Sequence, residues 1–217
     1  MVSGKANSSS RGSDTGGRKR AKPPLDEAAL RDLALSYVAR FASTGARLEA
    51  YLARKLQERG VAEDADGRPA AIDVPALVAR LAELGYVDDA AYARMRARDL
   101  GARGYGARRV EQALWAAGVD EGVRAETAPD EAARRRAAVL MAQKRRLGPF
   151  GDRPGDGEAA EGDPLAAHKT REKAVAAMLR AGHDYAHVRF ILDAGAPAEV
   201  DAWLDEATDE EGSKESW

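Results

Sequence analysis

Arginine side chains are concentrated between Arg94 and Arg109, and their chemistry is the first functional signal in this sequence. The segment holds six arginines and one acid, Asp99, so its formal charge is +5 while the whole chain carries -2. A guanidinium group donates paired hydrogen bonds to carboxylates and phosphates, and it also stacks on aromatic rings. The pattern therefore predicts a surface for an anionic partner, formed by Arg94, Arg98, Arg103, Tyr105, Arg108 and Arg109.

A second basic cluster follows in Arg134–Arg136 and Lys144–Arg146, which together hold six cations with no acid between them. From this cluster we predict further partner contacts by Arg135, Lys144 and Arg145. A simpler interpretation is that helix arginines form a solvated face, so we expect about half of the named arginines to be silent on mutation. Tyr92 lies on an apolar helix face and is predicted to belong to the core.

Enzyme chemistry has little support in the sequence. It contains no cysteine, no phosphate-binding glycine loop and no nucleophile, histidine and acid constellation. His183 and His187 lie four positions apart beside Asp184, but two imidazoles without a third ligand make a weak metal site. Adjacent Asp88 and Asp89 suit capping at a helix start better than acid–base catalysis. We therefore predict a non-enzymatic protein with no cofactor and no metal.

The elements that position these side chains are predicted to be helices throughout, giving an all-α fold. Only 6% of residues are aromatic, Ala, Leu, Arg and Glu dominate, and no run alternates as a half-buried strand does. No segment approaches the roughly 18 apolar residues of a membrane span, and no secretory signal is present, so the cytoplasm is expected. Apolar stripes predict helices at Leu30–Phe41, Ala46–Glu58, Val74–Leu84, a hairpin from Asp88 to Ala117, Asp120–Glu126, Pro129–Arg146, Lys169–Ala181, Asp184–Ala194 and Ala198–Ala207.

A repeated helix ending suggests a tandem array. An apolar residue stands four positions before a glycine in five places, which predicts helices that stop at a left-handed glycine: Leu56 and Gly60, Leu81 and Gly85, Leu114 and Gly118, Met178 and Gly182, and Ile191 and Gly195. We predict an elongated array of three three-helix repeats with disordered charged termini. The predicted boundaries are a basic arm at 1–25, repeats at 26–85, 86–128 and 129–207, a Gly, Pro and acid-rich loop at 148–164, and an acidic tail at 208–217.

The central segment resembles the core signature of the RecX family of recombinase regulators. The resemblance rests on Gly85-Tyr86-Val87-Asp88-Asp89, Tyr92-Ala93, Arg103-Gly104-Tyr105-Gly106 and Arg108-Arg109-Val110, ending at Leu114 and Gly118-Val119. It extends over Leu30 to Gly195 in helix layout and is specific at the residue level from Val74 to Val119. The resemblance implies three consecutive three-helix repeats that bind the RecA filament and inhibit its extension, ATPase and strand exchange, thereby modulating DNA repair and the SOS response. We expect a monomer that contacts single-stranded DNA weakly if at all.

Two other classes of function are open to the same residues. A helical, sequence-independent nucleic-acid-binding module would use the helix at Ala107–Ala117, although only Gln112 follows Arg108 and Arg109 on its exposed face, whereas a base-reading helix offers more polar side chains. A structural helical adaptor would share the fold without needing the basic segment from Arg94 to Arg109. Charge reversal at Arg103, Arg108 and Arg109 would separate these classes, because only an adaptor would keep its binding.

Overall fold

The structure is a computed structural model that describes residues 22–151 and 164–214. Most of the basic arm, the centre of the acidic loop and the last three residues lie outside the described residues. Within the described residues the chain is all-α, as predicted. Its β-type pairing there is limited to two isolated bridges, one between Leu25 and Val61 and one between Glu63 and Pro69. The helices are α1 (Glu27–Val38), α2 (Gly45–Arg59), α3 (Val74–Glu83), α4 (Asp89–Ala102), α5 (Ala107–Trp115), α6 (Glu121–Glu126), α7 (Glu131–Arg145), α8 (Pro164–Arg180), α9 (Tyr185–Asp193) and α10 (Pro197–Lys214), with a 3-10 turn at Gly148–Phe150.

Short polar side chains fix where these helices begin. Asp26, Asp73, Asp88 and Asp130 each accept a hydrogen bond from the backbone N–H three residues later, at 2.6–2.9 Å. Each carboxylate satisfies an N–H that has no partner within the helix and lies at the positive end of the helix dipole. Asp89 instead accepts from the backbone N–H of Gly45 at 2.9 Å, so the acid pair caps two different helices, and its predicted structural role is confirmed.

Glycines with positive φ end α3, α5 and α8, as predicted. At Gly85, Gly118 and Gly182 φ is 77°, 73° and 92°, and the next residue donates its N–H to the carbonyl five positions earlier, at 2.9–3.2 Å. This Schellman geometry suits glycine because glycine has no Cβ to clash. The prediction is wrong at Gly195, which lacks a positive φ, because α9 ends through an extended Ala194.

Buried side chains form three separate clusters, each drawn from consecutive helices. The first cluster joins α1, α2 and α3, the second joins α4, α5 and α6, and the third joins α7, α8, α9 and α10. The clusters support the proposed repeats at 26–85, 86–128 and 129–207, a division that remains a prediction. The third of these units contains four described helices, because α10 packs on α7 and adds Val200 to the third cluster.

A close contact of similar placement joins each pair of neighbouring clusters. In the first joint, the start of α2 meets the glycine that ends α5: Thr44 donates its hydroxyl to the carbonyl of Ala117 at 2.5 Å. A Cβ added to Gly118 would lie 2.4 Å from the Cβ of Ala46. In the second joint, the start of α5 meets the glycine that ends α8, and the N–H of Gly106 donates to the carbonyl of Ala181 at 2.9 Å. Each joint therefore pairs the start of one helix with the end of the helix three places further along the chain: α2 with α5, and α5 with α8.

The second joint admits no side chain at either glycine. A Cβ on Gly106 would lie 2.3 Å from the carbonyl carbon of Gly182, and a Cβ on Gly182 would lie 2.5 Å from the backbone nitrogen of Arg109. Backbone atoms cannot rotate out of the way as flexible side chains do. Gly106 and Gly182 therefore serve close packing between the second and third clusters.

Other predictions at element ends are also wrong; for example, α8 begins at Pro164 rather than at Lys169. Leu25 is fully buried and its N–H donates to the carbonyl of Gly60 at 3.0 Å, so ordered chain begins before the predicted end of the basic arm. Phe41 lies beyond the end of α1 and is 57% exposed, because the N–H groups after Val38 turn back onto α1 and close it. The last helix continues to Lys214, past its predicted end at Ala207, so the predicted acidic tail begins inside a helix.

Candidate partner-binding surface

The basic elbow, Arg103–Arg109, connects α4 to α5 and turns its backbone inward. Gly104 has φ of 86°, and a Cβ there would lie 3.3 Å from the backbone nitrogen of Met141 in α7. Gly106 contacts the turn between α8 and α9, as described above. With both glycines packed against the third cluster, the arginine side chains of the elbow point outward.

The three elbow arginines differ in the ion pairs and ring contacts that they form within the protein. Arg103 lies 3.6 Å from the carboxylate of Asp99, and its guanidinium is 5.6 Å from the ring centre of Tyr105. Arg108 and Arg109 are exposed and form no ion pair with any described residue. Both are therefore free to pair with an external carboxylate or phosphate.

A cleft of about 390 Å³ lies beside the elbow, between α4, α5 and α7. Its floor is built from small or aliphatic residues, among them Ala97, Gly101, Ala133 and Leu140, and Tyr105 also lines it. Four arginines and no acid line the same cleft: Arg94, Arg98, Arg134 and Arg136. The structure thus brings the predicted Arg94, Arg98 and Tyr105 together with two arginines of the second basic cluster.

Three of the four cleft arginines have no ionic partner among the described residues, namely Arg94, Arg98 and Arg136. Arg134 pairs with Glu131 at 3.0 Å and reaches Asp184 at 4.0 Å, but its Nε atom is buried without a hydrogen-bond partner in the described part of the chain. A buried donor without an acceptor is unfavourable. The cleft is therefore a positively charged site with an apolar floor.

The second basic cluster divides across two faces of α7. Arg135 donates to Glu131 at 2.8 Å and to the carbonyl of Trp203 at 2.6 Å, and its guanidinium lies 4.5 Å from the Trp203 ring centre. Arg135 thus joins α7 to α10. Lys144 approaches the carbonyl of Ala102 at 3.4 Å, which places it beside the elbow, and Arg145 is exposed.

Arg134 and Arg136 were not among the predicted site residues, although the helix register contains the signal. Successive residues rotate by about 100° around a helix axis, so Arg135 points away from the stripe of Ala133, Ala137 and Leu140 that lines the cleft. Arg134 and Arg136 flank that stripe on either side. The sequence does not show that this stripe faces an open cleft, so it does not distinguish Arg134 and Arg136 from Arg135 as cleft residues.

Both candidate metal ligands are engaged in packing between helices. His183 is 2% exposed, and its Nε2 lies 3.0 Å from the carbonyl of Gly104. Burial lowers the pKa of His183, partly offset by this hydrogen bond. His187 lies 2.9 Å from the carboxylate of Glu131. No group of three metal-binding side chains occurs in the described part of the chain.

Tyr92 is a core residue, as predicted. Its side chain belongs to the second cluster and is 7% exposed. Its hydroxyl accepts a hydrogen bond from Arg47 at 2.6 Å. Arg47 also stacks over the ring, with its guanidinium carbon 5.4 Å from the ring centre. This pair links α2 to α4 and adds a second contact to the first joint.

Comparison with known proteins identifies the family of this chain. It is 33% identical over 167 residues to the regulatory protein RecX of Myxococcus xanthus (strain DK1622), a match that covers 76% of this chain and 84% of that protein. The chain belongs to the RecX family. Residues 88–127 match the model of the second three-helix domain of RecX, the region that contains α4, the elbow, α5 and α6.

The fold of this RecX family member is also similar to a solved structure. The crystal structure of RecX from Lactobacillus salivarius matches with a TM-score of 0.54 and 17% identity, covering 81% of this chain and 96% of that chain. At this identity the likeness concerns the fold alone. None of the described helices is both long enough and apolar enough to cross a membrane.

Proposed function

We propose that this RecX family regulator binds the RecA nucleoprotein filament and inhibits its extension, ATPase and strand exchange, and so modulates DNA repair and the SOS response. The observation that carries the proposal is the outward-facing basic elbow, whose Arg108 and Arg109 have no ionic partner among the described residues. The cleft beside the elbow adds Arg94 and Arg98, which also have no ionic partner in the described part of the chain. Such guanidinium groups favour contacts with carboxylates of a protein or phosphates of its bound DNA.

Catalysis belongs to the partner. The ATP hydrolysis that is damped belongs to the filament, and this chain acts by occupying a surface as a cytoplasmic monomer without cofactor. Arg103, Arg108, Arg109 and Tyr105 form the first contact region, and Lys144 and Arg145 extend it. Arg135 is a positioning residue that holds α10 on α7.

The test is the single-stranded-DNA-dependent ATPase rate of the cognate RecA, titrated with this protein below one molecule per RecA protomer. Wild-type protein is expected to inhibit, and the R103E/R108E/R109E variant to need at least about tenfold more protein, because each lost charge-assisted contact is worth on the order of 1.5–3 kcal/mol. The matched control is R31E/R40E/K173E, which makes the same charge change at exposed positions away from the elbow. Equal inhibition by both triple variants would contradict a role for the elbow.

A helical, sequence-independent nucleic-acid-binding module is the second candidate. It is favoured by Trp115, which is 70% exposed on the same helix as Arg108 and Arg109, because exposed aromatic rings stack on unpaired bases. Salt-sensitive binding to naked single-stranded DNA, with no effect on a preformed or growing filament, would favour this candidate over filament regulation.

A further inference from the structure

We propose that the cleft between α4, α5 and α7 receives an acidic amphipathic helix of the protein partner. The inference rests on the proposed function for the identity of that partner, the RecA protomer, and goes beyond it in assigning the site and the chemistry of the bound segment. The bound helix presents a ridge of small or aliphatic side chains to the cleft floor and carboxylates to the arginines along its walls.

The floor of the cleft matches a helix because its side chains are small. Ala97, Gly101 and Ala107 line it from α4 and α5, and Ala133 and Ala137 line it from α7. Helix axes pack about 8–10 Å apart, depending on the side chains at the contact. Alanine and glycine are more numerous in this lining than the larger Val110 and Leu140, so an incoming ridge can approach closely. Burying that ridge gains roughly 25 cal/mol for each Å² of apolar surface removed from water.

The walls match carboxylates in charge and spacing. Arg94 and Arg98 lie one turn apart on α4, so acids spaced by three or four residues on a partner helix can meet both. Arg136 lines the cleft from α7 and has no ionic partner within residues 22–151 and 164–214. Arg134 lines the same cleft, with its guanidinium paired to Glu131 and within 4.0 Å of Asp184.

The same features favour a protein segment over a polynucleotide. Single-stranded nucleic acid is bound by aromatic platforms on which successive bases stack, whereas Tyr105 is the single aromatic residue among those that line this cleft. Phosphate binding would need the arginines but would leave the methyl-lined floor exposed to water. An apolar ridge flanked by carboxylates uses both parts of the site.

Binding to preformed RecA filaments, measured with labelled protein, tests the inference against the proposed function. We expect R94E/R98E to weaken binding at least about tenfold, while R31E/R40E, the same charge change on exposed residues of the first unit, binds as wild type does. Near-wild-type circular dichroism establishes that R94E/R98E is folded. If wild type binds the filament and R94E/R98E binds equally well, the cleft assignment is wrong and the proposed function stands.

A defined probe keeps the site testable without RecA. The probe is a labelled 18-residue helical peptide with an alanine and leucine ridge and glutamates spaced by four, compared with its glutamine counterpart by fluorescence anisotropy. The glutamate peptide is expected to bind wild-type protein at least about tenfold more tightly than it binds R94E/R98E. It should also bind wild-type protein more tightly than the glutamine peptide does. Equal binding of both peptides, or no binding of either, would overturn the inference even if filament regulation is real.

Crosslinking identifies the occupant directly, and the absence of cysteine from this chain makes the labelling site-specific. A benzophenone maleimide on A102C at the cleft edge is compared with the same label on A28C, an exposed position of α1. In the filament, the label at the cleft should crosslink to an acidic helical segment of RecA, and the label on α1 should not. Crosslinks from the cleft chiefly to DNA, or to a second copy of this chain, would overturn the assignment.

Discussion

His183 shows how one buried side chain can make the stability of the molecule depend on pH. Burial lowers its pKa below the ordinary value of 6.5, because the charged form cannot be hydrated inside the joint. The unfolded chain therefore binds a proton at higher pH than the folded chain does. The stabilising contribution of neutral His183 is fully present above about pH 7, and it is lost as pH falls through 6.5 toward the lower pKa of the folded state.

We therefore expect the free energy of unfolding to fall as pH decreases below about 6.5, with a slope of up to about 1.4 kcal/mol per pH unit. Urea unfolding of wild type and H183Q across pH 5.5–8 measures this slope. Glutamine keeps a donor for the carbonyl of Gly104 but does not titrate, so H183Q should be flatter in this range. H168Q, at an exposed histidine of α8, serves as control and should keep the wild-type slope. A wild-type slope in H183Q would refute the assignment.

At the scale of elements, the joint between the elbow and the end of α8 depends on Gly106. Its backbone conformation is ordinary, with φ of -79°, so an alanine there is limited by space rather than by backbone strain. The added Cβ would meet backbone atoms of Gly182 at 2.3 Å. We expect G106A to lower the free energy of unfolding by about 1–3 kcal/mol, the usual range for overpacking.

Gly101 supplies the matched control for this prediction. It lies within α4, and an added Cβ would meet no atom within 4 Å. Because alanine is favoured over glycine inside a helix, G101A should stabilise the protein by about 0.5–1 kcal/mol. Urea unfolding of both variants measures the difference. Similar effects of the two substitutions would contradict the close approach seen at Gly106.

At the scale of the whole molecule, the chain is an array whose ends are covered by its own segments. Leu25 covers the end of α2, because its N–H donates to the carbonyl of Gly60. Gly118 and Gly182, at the corresponding ends of α5 and α8, are covered by residues of the neighbouring units. At the other end, α10 packs on α7 through Trp203, whose ring stacks on Phe190 at 4.6 Å and meets the edge of His187 at 5.3 Å. Such coverage is what the terminal units of repeat arrays require for stability and solubility.

We expect W203A to destabilise the third cluster while leaving the first intact. Removing a half-buried tryptophan should cost about 2–4 kcal/mol, somewhat below the range for a fully buried one. Amide hydrogen exchange should show faster exchange in α7, α8 and α9 and unchanged protection in α1, α2 and α3, because units contact only their neighbours. W115A, at a 70% exposed ring, is the control. A uniform loss of protection in W203A would show one cooperative unit instead.

The sequence alone determined the helices, their caps and the basic elbow. Local signals suffice for these features: Asp88 caps α4 because a carboxylate reaches the N–H three residues on, and Gly118 ends α5 because only glycine adopts that backbone geometry without strain. The same local rules failed at Gly195 and Phe41, where helix ends are set by the following backbone rather than by residue type. The family resemblance also lay in the sequence, in the ordered motifs from Gly85 to Val119.

The tertiary structure decided which of these residues face one another. It showed that Gly106 and Gly182 meet, that His183 supports the elbow from another unit, and that Arg135 turns to Trp203 while Arg134 and Arg136 line the cleft. Each pairing joins residues separated by many positions in the chain. Helical periodicity predicts the face on which a residue lies, but the neighbour of that face depends on how whole units pack, and only the packed chain contains that information.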